Sequence, residues 1–315
     1  MLEILNELWR QYTERARVLL EHPPTDLPLA DPIDESIRWQ IRRDPIFAPH
    51  APNQATLATL QVPELCSGER AAPLAFVTIN PSYDGREVFP SITHIAEHGA
   101  GALEQWFEQR FAPTSNDIPL RHGRRPVRGK FPNPPTYWTH GNDHRGRPVI
   151  KGRTQKSTWD RLDVATRLCL GELTPEQQQA PLGRAARLFD LVPWKFAKWG
   201  KLEPPRKEQF LAEGAQWLRR GLDQHQPKVI IACGQDVRRK MREMDGTETQ
   251  VPAYAAGGPQ SGWFRLNTPQ GPKSVPWFGV PHPAARQVLD PVTRRKVDPF
   301  DRDIRAIAPS VRAAT

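Results

Sequence analysis

Four short apolar runs separated by helical patterns constrain this chain more than any other feature. Leu74-Ala75-Phe76-Val77-Thr78-Ile79 is apolar on both faces, as a central strand must be. Ala186–Val192, Lys228–Ala232 and Trp277–Val280 repeat the theme. Between the second and third runs, residues 206–222 turn Phe210, Leu211, Gly214, Leu218 and Leu222 to one side, the period of a helix. Gly234 then lets the chain pass from the third run into a helix over Asp236–Met244. Strands alternating with helices predict an α/β fold, a three-layer α/β/α sandwich around a mostly parallel sheet. A helix is expected over 2–21, with Leu5, Leu8, Trp9, Tyr12, Val18 and Leu19 on one stripe and His22-Pro23-Pro24 ending it. Another is expected near 95–110. The 315 residues read as a single domain carrying an N-terminal helical extension (1–72), whose proline-rich part wraps the core, and an insertion (112–156) where periodicity vanishes.

The insertion is strongly basic. From Arg121 to Lys156 there are ten Lys/Arg and one acid, Asp143, with Phe131, Tyr137 and Trp138 among the charges. Arg124, Arg125, Arg128 and Lys130 are candidates for phosphate contacts, and the aromatics for stacking on a displaced base. A solvated loop fits the same composition. The net charge of +9 also favours a polyanionic partner, though an arginine-rich genome gives the same excess. Ser157-Thr158-Trp159-Asp160 caps a new helix through Leu162, Ala165 and Leu168, so order resumes after the insertion.

Several chemistries lack their motifs. Cys66, Cys169 and Cys233 are far apart and form no CxxC pair, which argues against a disulfide framework, structural zinc or an iron–sulfur site. His122, His140 and His144 lack clear metal-ligand spacing, so no metal and no cofactor is expected. No GxSxG elbow and no GxxxxGK[ST] loop is found, against familiar serine hydrolysis and nucleotide binding. No apolar run reaches 18 residues and the N-terminus opens on an amphipathic helix, so a cytoplasmic, nucleoid-associated protein without a membrane contact or obligate protein partner is expected.

Two of the apolar runs end in polar candidates. One leads into Ile79-Asn80-Pro81-Ser82-Tyr83-Asp84-Gly85, the other into Gly279-Val280-Pro281-His282-Pro283-Ala284-Ala285-Arg286. Strand ends of open α/β sheets form the usual ligand crevice. Taken singly, Asn80 also reads as a cap before Pro81, and His282 as a packed loop residue.

Together, and in this order, the two segments resemble the first and second motifs of the uracil-DNA glycosylase superfamily, nearest its mismatch-specific and single-strand-selective branches. The resemblance covers about residues 70–95 and 185–290. It implies a monofunctional DNA glycosylase in which Asn80 positions water against the sugar carbon and His282 donates a hydrogen bond to the departing base. Ser82 stands where the family has glycine or tyrosine, and Ala284 and Ala285 replace its serine-containing continuation. Phe89 falls where the family places its stacking aromatic, and equally fits a core. Tyr83 and Ser82 fall on the pocket rim and floor. Arg286 lies on the loop that enters the duplex in family members, and Lys195, close to Asp190 in sequence, is a further candidate for contacting the strand.

Asp190 alters the expected substrate. It falls at or beside a base-reading asparagine of the family. An ionised carboxylate only accepts, so it suits the N4 amino group of cytosine and opposes O4 of uracil. A solvated or Arg187-paired aspartate is the competing reading. The expectation is therefore excision of a C5-modified cytosine from DNA, with phage DNA as one source of such a base. Excision of uracil or a damaged base in repair, or a non-catalytic nucleic-acid-binding protein on the same fold, are the alternatives.

Overall fold

The computed structural model describes residues 1–22, 31–42, 55–79, 91–109, 158–195, 199, 202–245, 260–285, 287–289 and 296–315. Helix α1 (Leu2–Glu21) buries Ile4, Leu5, Leu8, Trp9, Tyr12, Ala16 and Leu19, a stripe at three- and four-residue spacing. Val18, expected on that stripe, falls outside it and is 55% exposed. Helix α2 (Pro32–Arg42) lies within the stretch expected to be irregular. It meets α1 through polar groups: Gln40 Nε2 donates to the Tyr12 hydroxyl at 2.6 Å. The Trp9 indole donates to the Pro63 carbonyl at 3.0 Å. The apolar stripe of α1 shares one core with Phe189, Leu191, Ile230 and Ala232, so this segment builds the core rather than extending from it.

The sheet is assembled from β1 (Cys66–Ser67), β2 (Leu74–Thr78), β3 (Ala186–Asp190), β4 (Val229–Cys233), β5 (Gln260–Thr268) and β6 (Gly271–Val280). Their spatial order is β1-β3-β2-β4-β6-β5. The pairs β3–β2, β2–β4 and β4–β6 are parallel. The edge pairs β1–β3 and β5–β6 are antiparallel. All residues of β2, β3 and β4 are buried, which explains why those segments read as continuous apolar runs. The strand β5 alternates in burial, and β6 opens on four exposed or half-buried residues that include Gly, Pro and Lys, so this hairpin escapes the same reading.

Strand pleating sends alternate residues to two cores. One face holds Ala75, Val77, Phe189, Ile230 and Ala232. It is covered by α1, α2, α3 (Ile92–Gln109, broken at Gly99), α6 (Pro204–His225) and α7 (Gln235–Asp245). The other face holds Leu74, Phe76, Leu188, Ile231, Cys233 and Val280, under α4 (Thr158–Leu170) and α8 (Pro299–Ala314). Helices thus flank both faces of a mostly parallel sheet. Short α5 (Pro175–Gln179) starts on a capping box in which Thr174 and Gln177 bond each other's backbone. A two-stranded pair, β7 (Val288–Leu289) with β8 (Lys296–Val297), precedes α8. Among the described residues, no helix is long and apolar enough to cross a membrane.

Candidate functional site

The strand order turns back on itself at β2. The chain runs from β2 to β3 on one side, then crosses to β4 and β6 on the other. The carboxyl ends of β2 and β4 therefore flank a topological switch point, where open α/β sheets bind ligands. Ile79, the residue before Asn80, continues β2: its carbonyl accepts from the Val192 amide at 2.8 Å, and that of Thr78 from Leu191 at 2.9 Å.

On the β4 side, Gly234 turns the chain into α7 with φ of +104°. A Cβ there would make ordinary contacts with His282, 3.6 Å from its Cβ, so backbone conformation rather than space calls for glycine. The Gly234 amide donates to the Val280 carbonyl at 2.8 Å, joining this turn to the end of β6. His282 follows two residues later. Its carbonyl accepts from the Ala285 amide at 2.8 Å, and its Nδ1 accepts from the Ala284 amide at 3.0 Å. An Nδ1 that accepts leaves the proton of the neutral ring on Nε2. Burial, and secondarily the Arg161 guanidinium, hold the imidazole below its ordinary pKa. The outcome is a half-buried neutral ring with an Nε2–H donor at the sheet edge.

Arg161, in the first turn of α4, is 8% exposed. One of its nitrogens donates to the Pro283 carbonyl, and another to Asp298, with Asp301 3.3 Å away. Its guanidinium also lies 4.9 Å from the centroid of the Phe300 ring. Asp298 is at the same time the N-cap of α8, accepting from the amides of Phe300 at 3.0 Å and Asp301 at 3.2 Å.

On the other side of β2, Asp190 ends β3 directly opposite Thr78. Both are buried, and the Thr78 hydroxyl donates to Asp190 Oδ1 at 2.6 Å. Their side chains share the sheet face of Phe76 and Leu188. Arg187, three residues earlier, points to the opposite face, where its guanidinium lies 5.8 Å from the centroid of Phe189. Asp190 is thus neither solvated nor paired with Arg187, and Thr78 holds it. Across β3, β2, β4 and β6, the ends carrying Asp190 and Val280 stand about 14 Å apart by ordinary strand spacing.

Lys195, expected to contact DNA, requires correction. It is 1% exposed, and its ammonium meets Glu64 at 3.2 Å. Glu64 accepts from the Ser67 hydroxyl at 2.6 Å, and the Lys195 carbonyl from Ser36 at 3.2 Å. The side chain belongs to an internal ion pair, and its sequence neighbour Trp194 is buried with it. Asn80, Ser82, Tyr83, Phe89 and Arg286 lie outside the described residues, as do Arg124, Arg125, Arg128, Lys130 and the rest of the insertion. Of the expected site, the structure therefore places His282 and Asp190 at ends of the same parallel set of strands.

Sequence reading passed over Thr78 and Arg161. Thr78 was visible as the one hydroxyl in an apolar run, and the Asp298-Pro299 pair was a readable helix start. Nothing in the neighbourhood of Arg161 marks it, because its partners lie more than 120 residues downstream. The three cysteines are buried thiols. Burial pushes Cys169 up to about 12 and raises Cys233 as well, which suppresses thiolate chemistry. Among the described residues, no group of three or more His, Cys, Asp or Glu is placed to hold a metal.

No protein-family model matches this chain, and a search of curated proteins finds no match.

Proposed function

We propose that this protein is a monofunctional DNA glycosylase that hydrolyses the N-glycosidic bond of a flipped pyrimidine, a C5-modified cytosine. The observation that carries the reading is the neutral His282 ring with its proton on Nε2, at the end of a parallel strand beside the switch point. A departing pyrimidine accumulates negative charge that its exocyclic O2 carbonyl oxygen shares. A rigid neutral donor aimed at that oxygen strengthens its hydrogen bond as the charge forms, typically worth about 3 kcal/mol. In this scheme Asn80, which follows Ile79 at the end of β2, positions the attacking water.

Asp190 supplies the choice of base. Its carboxylate accepts, and the Thr78 hydroxyl fixes its orientation. Opposed to O4 of uracil it would bring two acceptors together, whereas N4–H₂ of cytosine gives a charge-assisted bond. Excision of ordinary cytosine would destroy the host genome, so the substrate carries a C5 substituent, and attack on modified phage DNA is the corresponding role. The basic insertion rejoins the described chain at α4, the helix that carries Arg161.

The test is incubation of purified protein with duplexes carrying uracil, cytosine and bulky 5-modified cytosines, and with phage genomes, followed by mass analysis of released bases. Release of the modified base, leaving an abasic site and persisting in EDTA, is expected. Release of uracil alone would return the protein to uracil repair and remove Asp190 as the selector. A trapped lysine–DNA adduct would overturn the monofunctional mechanism. Binding without release from any substrate would leave a nucleic-acid-binding protein.

A further inference from the structure

A buried guanidinium is expensive unless its donors are matched. Arg161 meets that demand with groups from two distant segments, the Pro283 carbonyl next to His282 and the carboxylate that caps α8. Lysine, a point charge, cannot span both partners as a planar fork does. The backbone on either side of His282 is already narrowed by Pro281 and Pro283, and the ring is held by the Ala284 amide. What remains to be fixed is the position of this rigid loop against the rest of the molecule. The Arg161 fork supplies that tie.

We propose that Arg161 is a positioning residue for His282: by bridging the Pro283 carbonyl to the capped start of α8, it fixes where the Nε2–H donor points and which tautomer the ring keeps. The catalytic value of that donor rests on the glycosylase reading, but the positioning does not. Among the described residues, the charged and titratable groups around the loop are Arg161 from α4, Asp298 and Asp301 from α8, the Cys233 thiol that ends β4, and Arg238 from α7, which packs against Gly279. The cation among them nearest the ring opposes a second proton on it, in the same sense as burial.

The experiment uses the full-length protein with ¹⁵N-labelled histidine, the His282 signals being assigned by their loss in His282→Gln. In the wild type, His282 should show one neutral tautomer protonated at Nε2 and should titrate below the ordinary imidazole value. In Arg161→Gln the signals should move toward a tautomer mixture and the titration should shift upward. Arg161→Lys should keep the low titration, since the cation remains, yet lose the single tautomer. Should Arg161→Gln fail to fold, Asp298→Asn removes the charge partner while leaving a competent cap, and the same tautomer mixing is expected. On a DNA substrate that the wild type cleaves, Arg161→Gln should lower the single-turnover rate about 10- to 100-fold, with DNA affinity changed less than about twofold, the signature of a missing transition-state interaction. Unchanged tautomer and titration in folded Arg161→Gln, or in Asp298→Asn, would overturn the proposal even if glycosylase activity is found. The spectral changes without base release by the wild type would uphold the positioning and remove the glycosylase reading.

Discussion

At the scale of single residues, what matters is which polar groups are buried and what holds them. On the glycosylase reading, His282→Ala removes the donor to the departing base, so single-turnover base release should fall about 10²–10³-fold while DNA affinity changes little, as rates measured beside binding constants would show. The Lys195–Glu64 pair makes the opposite prediction. Lys195→Met strands a buried carboxylate and should cost about 3–5 kcal/mol in urea unfolding, with most of that returned in the Lys195→Met/Glu64→Leu double variant. The salt dependence of DNA binding should be unchanged in both; a lower slope in Lys195→Met would restore a phosphate contact to this residue. Histidines set the acid limb of stability. Burial first, and the Arg187 cation second, push His225 down to about 3, and His282 is depressed too. Both rings are neutral in the fold near pH 7 and protonate in the unfolded chain below about pH 6.5, so their contribution is complete above that value and is lost as pH falls; for His225 the loss runs at up to about 1.4 kcal/mol per pH unit toward its folded value of about 3, and His282 adds in the same direction. Urea midpoints followed from about pH 7 to pH 5 should fall accordingly, and His225→Gln should flatten the fall.

At the scale of elements, close approach decides where the strand ends sit. A Cβ on Gly214 of α6 would overlap the carbonyl oxygen of Leu191, the residue after Asp190. Gly214→Ala should therefore destabilise the fold by about 1–3 kcal/mol, as overpacking does, despite the better helix propensity of alanine. A thermal melt of this variant that matches or exceeds the wild type would show that α6 stands off β3. This close approach also marks the limit of what the sequence carried. The strands β2, β3 and β4 and the helices α1, α6 and α7 were legible because burial on both faces, or on one stripe, writes itself into local periodicity. Helix α2 was hidden among prolines, β5 by its alternation with exposed polar residues, and α8 by Pro309 within it. His282 and Asp190 stood out as polar breaks at the ends of apolar runs. Glu64 and Arg161 did not, because their significance depends on partners 131 and 122 residues away, and Thr78 showed its hydroxyl but not the partner 112 residues away that it binds.

For the whole molecule, the sheet offers its carboxyl edge while 44 basic side chains against 35 acidic ones leave the chain positive. If the insertion binds phosphates, neutralising Arg124, Arg125 and Arg128 together should weaken DNA binding and lower the slope of log K against log salt by about one unit for each phosphate no longer neutralised. An unchanged slope would make the segment a bystander. The arrangement of α8 carries a further consequence. Phe300, Ile304, Ile307 and Val311 complete one face of the sheet, and Asp298 holds the fork that reaches Pro283. All of these residues lie downstream of every strand they stabilise. During synthesis the emerging chain can pair β2, β3, β4 and β6 before α8 exists, but that face of the sheet is then covered, among the described helices, by α4 alone and the histidine loop lacks its anchor. A chain released by a ribosome stalled before Asp298 is therefore expected to carry the sheet strands but not the tie on its histidine loop and, on the glycosylase reading, to release no base.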